Sequence, residues 1–299
     1  MRRIIYSFLL VCFSISSFSQ EDLLQLTGKD SATKEYIASA FKSSRVINGH
    51  SMEFIGKGVL DFRILHRFGT VNQGIKEFFG LDQATMRMGF DYGLGKNLTM
   101  GIGRTTNLKE LDGFVKFRPI HQANGPRGSP ISLILVGGMS IITLKNNDPA
   151  KDVTFNSRLA YYYQAIIGRK FNQQFTLQLS PTIVHRNEVL ANDDNDTYAM
   201  GIGGRIKLSK RIAFVADYFY VLNGLPKEQN HNPLSLGVDI ETGGHVFQLH
   251  FSNACGMNER AFITETLSDW GKGDIKFGFN LSRVFTIGKK KDKELKLQE

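Results

Sequence analysis

Asp239-Ile240-Glu241 puts two carboxylates on one face of an extended chain, because residues two apart in a strand point the same way. Gly243-Gly244 follows, a dipeptide suited to a two-residue hairpin turn. Folding there sets Asp239 opposite Gln248 and Glu241 opposite Val246, and leaves His245 and His250 on the returning strand. Two acids beside a histidine and an amide are the materials of a ligand or metal site. They are equally the materials of a charge network that satisfies arginines on neighbouring strands. His66-Arg67 and His185-Arg186 repeat one dipeptide, with alternation turning both histidines to one face and both arginines to the other. Outward histidines there would meet lipid headgroups or act as pH sensors. Gly101/Gly103 and Gly201/Gly203 are spaced by two, which fits strands and not a phosphate loop opening a helix. Side chains missing at those positions leave room for a passage, or for an inserted loop or plug. No Cys-x-x-Cys-His, His-Glu-x-x-His or Gly-x-Ser-x-Gly is present. No catalytic residue, metal site or cofactor is therefore assigned, and the chain is not read as an enzyme.

The elements that must carry these residues are strands. Of 299 residues, 41% are hydrophobic and 22% charged, which excludes a disordered chain, and two cysteines exclude a disulfide scaffold. After the N-terminus no apolar run is long enough for a spanning helix. From residue 58 onward, segments of about ten residues alternate apolar with polar or small, separated by turn signals. Twelve strands are predicted, near 58–68, 84–94, 98–106, 111–120, 131–143, 157–171, 174–186, 197–208, 212–222, 234–242, 245–253 and 275–287. The connections sort by length. Gly95-Lys96-Asn97, Asn172-Gln173, Ser209-Lys210-Arg211 and Gly243-Gly244 are tight, with 121–130 the exception, whereas 69–83, 144–156 and 254–274 are long. Short turns on one side and long loops on the other mark an all-β, transmembrane, antiparallel up-and-down β-barrel of the outer membrane, with both termini in the periplasm.

In such a barrel the apolar face meets lipid. Tyr161, Tyr163, Tyr218 and Tyr220 fall on that face, suited to an aromatic girdle. The opposite set faces the lumen: Arg63, Arg67, Arg87, Lys116, Arg118, Arg158, Arg205, Lys207 and Lys276, with Asp61, Asp91, Asp112, Asp217, Asp239 and Glu241, and His250. From it, Arg63, Arg67, Arg87, Arg118, Arg205, Asp239, Glu241 and His250 are the candidate channel-lining residues. An open lumen with this excess of cations, its field set mainly by Arg63, Arg87, Arg118 and Arg205, would favour anionic solutes. The basic residues are spread through strands rather than gathered in a patch, so nucleic acid is not an expected partner.

The ends divide as follows. Residues 1–19 read as a signal peptide: Arg2-Arg3, an apolar stretch from Ile4 to Phe13, then Ser17-Phe18-Ser19 before a cleavage point at Gln20. Residues 20–57 form a periplasmic segment. Tyr36, Ile37, Ala40 and Phe41 have helical spacing within Ser31–Ser43, so this stretch would cap the periplasmic mouth, enter the lumen as a plug, or remain a surface leader. Val46–Phe54 adds a short extended piece. The barrel spans 58–287, and 288–299 is a basic periplasmic tail.

Several stretches also carry a family resemblance: Asp61-Phe62-Arg63 with His66-Arg67-Phe68-Gly69; Phe79-Gly80-Leu81-Asp82-Gln83; Leu179-Ser180-Pro181-Thr182; and above all Asp239 through Phe251. Together they resemble the uncharacterised membrane-bound β-barrel family of Bacteroidota, a domain of unknown function, over roughly residues 40–287. The resemblance implies an outer-membrane barrel and carries no substrate or site residue with it. The expected function is a channel or passive transport barrel for small, anionic solutes, in contact with outer-membrane lipid. The alternative is an occluded barrel with a structural or docking role, offering loop 254–274 and its periplasmic segments to a periplasmic partner protein. An outer-membrane enzyme ranks third.

Overall fold

The computed structural model describes residues 33–144, 154–189, 193–224 and 229–287. The expected signal peptide and basic tail lie outside the described residues. Twelve strands form the wall: β1 (Val59–Thr70), β2 (Ala84–Gly93), β3 (Leu98–Thr105), β4 (Leu111–Ile120), β5 (Ser132–Ile141), β6 (Leu159–Lys170), β7 (Phe175–Arg186), β8 (Asp196–Lys207), β9 (Ile212–Val221), β10 (Leu234–Thr242), β11 (His245–Ser252) and β12 (Lys276–Thr286). Each pairs antiparallel with the next, and β12 pairs with β1, so the sheet closes and leaves no edge. A register shift between Lys276 and Gly278 marks the closing seam. Arg158, expected on a strand, instead ends a 3-10 turn just before β6.

The faces follow the alternation. Phe90, Ile102, Val115, Phe117, Tyr163 and Leu249 point outward and are exposed, with Ile102 62% and Tyr163 64% accessible. Exposed apolar side chains on this scale need an apolar medium, not water. The inward face is buried, and it has two halves. On β10–β12 and β1–β2 it is polar, with Asp239, Gln248, His250, Ser282, Arg63, Arg67, Arg87 and Asp91. On β4–β9 it also holds Phe114, Ile134, Val136, Tyr162, Ile166, Val184, Ala199, Val215 and Phe219. A strand such as β5 is thus apolar on both faces, outward to lipid and inward to protein.

The protein that fills the inside is the chain itself. No helix forms over the described part of Ser31–Ser43; Glu35–Tyr36 instead makes a short ladder with Ala123–Asn124 at the short-turn end. Residues 40–52 then run into the barrel and are largely buried, Phe41, Val46, Ile47 and Met52 joining the internal core. From the other end, loop 253–275 folds inward and forms α1 (Glu259–Thr264), whose six residues are all buried. Residues 254–266 of the loop expected to offer a contact surface therefore lie inside, apart from half-buried Cys255 and Glu265. A burial-driven interior predicts sensitivity on both faces. Ile102→Arg, outward, should destabilise the folded barrel by about 2–4 kcal/mol in lipid. Ile134→Ala, inward, should cost about 2–5 kcal/mol. Denaturant unfolding in vesicles would read both, and an unaffected Ile134→Ala barrel would mean a wet interior rather than a packed one.

Candidate functional site

The site is the filled lumen, and it is built around a hairpin. Arg45 bridges His50, and the Ser51 amide donates to the Ser44 carbonyl at 3.0 Å, so residues 44–51 form two short arms with their turn at 46–49. The turn presents three backbone N–H groups to one carboxylate: Asp217 Oδ2 accepts from Ile47 (3.2 Å), Asn48 (2.7 Å) and Gly49 (3.1 Å). The turn's other polar groups are met from the polar half of the wall. Arg67 donates to the Asn48 side-chain carbonyl at 2.7 Å, Asn48 Nδ2 donates to Ser235 at 2.8 Å, and Gln248 and Asn280 donate to the Val46 and Ile47 carbonyls. Gln178 donates to the His50 carbonyl (2.7 Å) and accepts from the Met52 amide (2.9 Å). At the base, Glu53 accepts the Ala40 and Phe41 amides and so ties the two arms together. Both arms leave the barrel by its short-turn end.

The hairpin meets α1 near the middle of the lumen. Arg45 donates to Glu259 at 3.0 Å, with both side chains almost wholly buried. His50 Nε2 lies 3.1 Å from the Tyr162 hydroxyl and 3.4 Å from Glu259 Oε1, and its ring stands edge-on to Phe114. Burial holds the His50 imidazole well below its usual range, helped by the positive charge of Arg45. The His50 Nε2 is within hydrogen-bond reach of the Tyr162 hydroxyl and of Arg45 Nη2 (3.5 Å), with Glu259 standing beside them. Burial likewise raises the Glu259 and Glu53 carboxyls, opposed by Arg45 at Glu259 and by the two amides at Glu53. Next along the helix, Arg260 forks onto Glu110 at 2.6 and 2.9 Å and also pairs with Glu265. Asn258 caps α1 by accepting the Ala261 amide. One helical turn thus fastens the loop to the wall and to the hairpin at once.

The candidate residues occupy this interior, but they do not form one site. Arg63 pairs with Asp61 and reaches Ser43. Arg67 binds Asn48 and Asn280. Arg87 forks onto Asp112, its Nε donating at 2.8 Å. A side chain at Gly103 would run into that guanidinium, so the space this glycine opens is taken by Arg87. Arg118 donates to Asn97 and to the Lys96 carbonyl, beneath Phe54. Asp239 faces Gln248, as the hairpin register requires, and accepts from it at 2.7 Å. His250 stands apart from that pair, opposite Gly237, and neither ring nitrogen finds a hydrogen-bond partner among the described residues. Glu241 sits half-exposed at the short-turn rim, paired with Lys42. Arg205 is buried, and among the described residues its guanidinium makes no hydrogen bond or ion pair. Of the four arginines expected to set the field of an open lumen, three are engaged by close polar partners. The residues missed by sequence reasoning are those of the fillers: Arg45, Asn48, His50, Glu259 and Arg260. Their signal was available in the inward apolar positions of β5 and β9, which a water-filled lumen would not favour.

A closed strand ring with an apolar exterior and an occupied interior, polar over one half, defines a membrane-spanning β-barrel. The chain matches the family described as membrane bound beta barrel domain (DUF5777) over residues 41–285 and belongs to it. That match takes in the hairpin as well as the wall. No curated protein matches the chain. Among solved structures it is similar to the NanC porin (7% identity, 76% of this chain and 98% of that one, TM-score 0.45). It is also similar to an outer membrane channel from Pseudomonas putida F1 (12%, 78% and 97%, 0.46) and to the KdgM porin (7%, 76% and 99%, 0.44). Likenesses this distant carry nothing about function.

Removing the Asp217 carboxylate leaves three enclosed donors without their acceptor. Asp217→Ala should speed amide exchange at Ile47, Asn48 and Gly49 by about tenfold or more while the wall strands keep their protection. Unchanged exchange at those three amides would mean that the turn is held by something else.

Proposed function

We propose that this protein is an outer-membrane barrel for passive transport that is closed at rest, with its N-terminal hairpin as the removable plug. The observation that supports this is the meeting of hairpin and α1 through Arg45 and Glu259, which obstructs the lumen between its two mouths. Two features favour a plug over a fixed core. The wall closes on itself by backbone pairing and needs no filler to complete its sheet. Both arms of the hairpin leave by one mouth, so it can slide out without threading a chain end through the barrel. Its contacts at the turn are mostly hydrogen bonds, which water can replace.

The apolar half of the lumen favours a second reading, a permanently filled barrel with a structural or docking role. Wetting Ile134, Val136, Val215 and Phe219 would oppose withdrawal.

Planar-bilayer recording separates the two. The full chain should be silent. A chain lacking residues 39–53, shown to be folded by a heat-shift gel, should give discrete conductance steps. Steady conductance by the full chain would overturn closure. Silence from the folded, hairpin-deleted barrel would overturn the plug and leave the filled barrel standing.

A further inference from the structure

Most inward charges of this barrel are answered by a close partner; those of Arg205 and Lys207 are not. At the short-turn mouth, Arg205 and Lys207 of β8, Lys170 of β6 and Lys42 of the hairpin line a cavity of about 250 Å³, with Ser39 and Gln173 completing its rim. Arg205 is only 3% exposed, yet its Nε is buried without a partner and no hydrogen bond or ion pair reaches its guanidinium from the described residues. The Lys207 ammonium makes no hydrogen bond or ion pair among the described residues, though its backbone amide donates to the Gln174 carbonyl at 2.7 Å. Lys170 donates to the Ala38 carbonyl at 2.8 Å and Lys42 pairs with Glu241, so two of the four cations are partly occupied. Asp239, Glu53 and Glu241 are the acids whose charge Arg205 feels, but Asp239 is bonded to Gln248, Glu53 to two backbone amides, and Glu241 to Lys42. The positive charge is therefore left over inside the cavity. A buried guanidinium nitrogen with no acceptor is costly, and an anion in the cavity would supply one.

We infer that this cavity is an anion site for a small phosphate-bearing ligand. The guanidinium offers the planar fork that phosphate oxygens accept, and the lysines add point charge around it. The volume suits phosphate or pyrophosphate rather than a larger organic ligand. The four cations come from the inner face and from the hairpin, while Ile206 between the two β8 cations points outward. A free anion therefore enters directly from the aqueous mouth, whereas a lipid phosphate would have to reach over the rim. Three of the cations belong to the wall and one to the hairpin, so a bound anion ties the hairpin to the barrel. The site itself does not depend on whether the hairpin ever withdraws.

The test uses the full refolded chain in a phosphate-free maltoside detergent, titrated with sodium pyrophosphate in a calorimeter. Wild type should bind at one saturable site. Arg205→Gln with Lys207→Gln, checked for folding by the heat-shift gel, should weaken binding at least tenfold. Lys210→Gln, exposed in the adjacent turn and outside the cavity, should leave it unchanged. A second arm reconstitutes the barrel in phospholipid vesicles, re-extracts it and assays retained phosphorus. About one phosphorus per wild-type barrel, displaced by pyrophosphate and absent from the double variant, would identify a lipid headgroup as the source of the same chemistry; calorimetric binding without retained phosphorus would identify a free anion. No binding in either arm would overturn the site. So would equal weakening by the double variant and Lys210→Gln, which would reduce it to diffuse surface charge.

Discussion

A donor or acceptor enclosed in a sealed barrel has no bulk water to return to, and that constraint organises this molecule. Asp217 shows it most plainly: one carboxylate deep in the lumen is stabilised by the three backbone N–H groups that the turn of the hairpin offers it. Arg67, Gln178, Gln248 and Asn280 repeat the arrangement with the hairpin's carbonyls and side-chain amides. The polar inner wall and the hairpin are complementary halves of one hydrogen-bonded structure, and each would be short of partners without the other.

The opposite side of the lumen works by burial. There the wall carries apolar side chains among its polar ones, and Phe41, Val46 and Ile47 of the hairpin with Phe262 and Ile263 of α1 join them in one core. Phe219 meets Phe262 edge-on with 4.9 Å between ring centres, joining β9 to α1. The filler is thus amphipathic in the same sense as the wall, and the match of its two sides to the two sides of the lumen fixes its rotation about the barrel axis.

How much of this was legible in the sequence divides along the same line. The wall was, because period-two alternation against lipid is a local signal: all twelve strands lie close to their expected bounds, and Asp239 opposite Gln248 follows from the Gly243-Gly244 turn alone. The filling was not. Helical spacing of Tyr36, Ile37, Ala40 and Phe41 suggested a short helix, but no helix forms there; the end of the stretch is packed inside the barrel and its start lies in a short ladder at the mouth. Loop 254–274 looked like a surface because long loops usually are, yet Phe262 and Ile263 are apolar residues that bury. Inward arginines looked like the lining of a pore because parity gives the face of a residue and not its partner. Those partners are Asn48 and Asn280 for Arg67, Asp112 for Arg87 and Asn97 for Arg118. Such pairings carry no local periodicity.

The position of the hairpin in the chain has a consequence for the order of assembly. It is made before any strand of the wall, but its principal acceptor and donors stand on β9, β11 and β12, the last to be made. Neighbouring strands can zip in sequence from short-range contacts, whereas these contacts of the hairpin span 168 to 233 residues. Those partners are missing from its turn until the ring is nearly complete. Because its arms share one mouth, it can then enter a ring that has already shut, making the filling of the interior the final step rather than the template of folding.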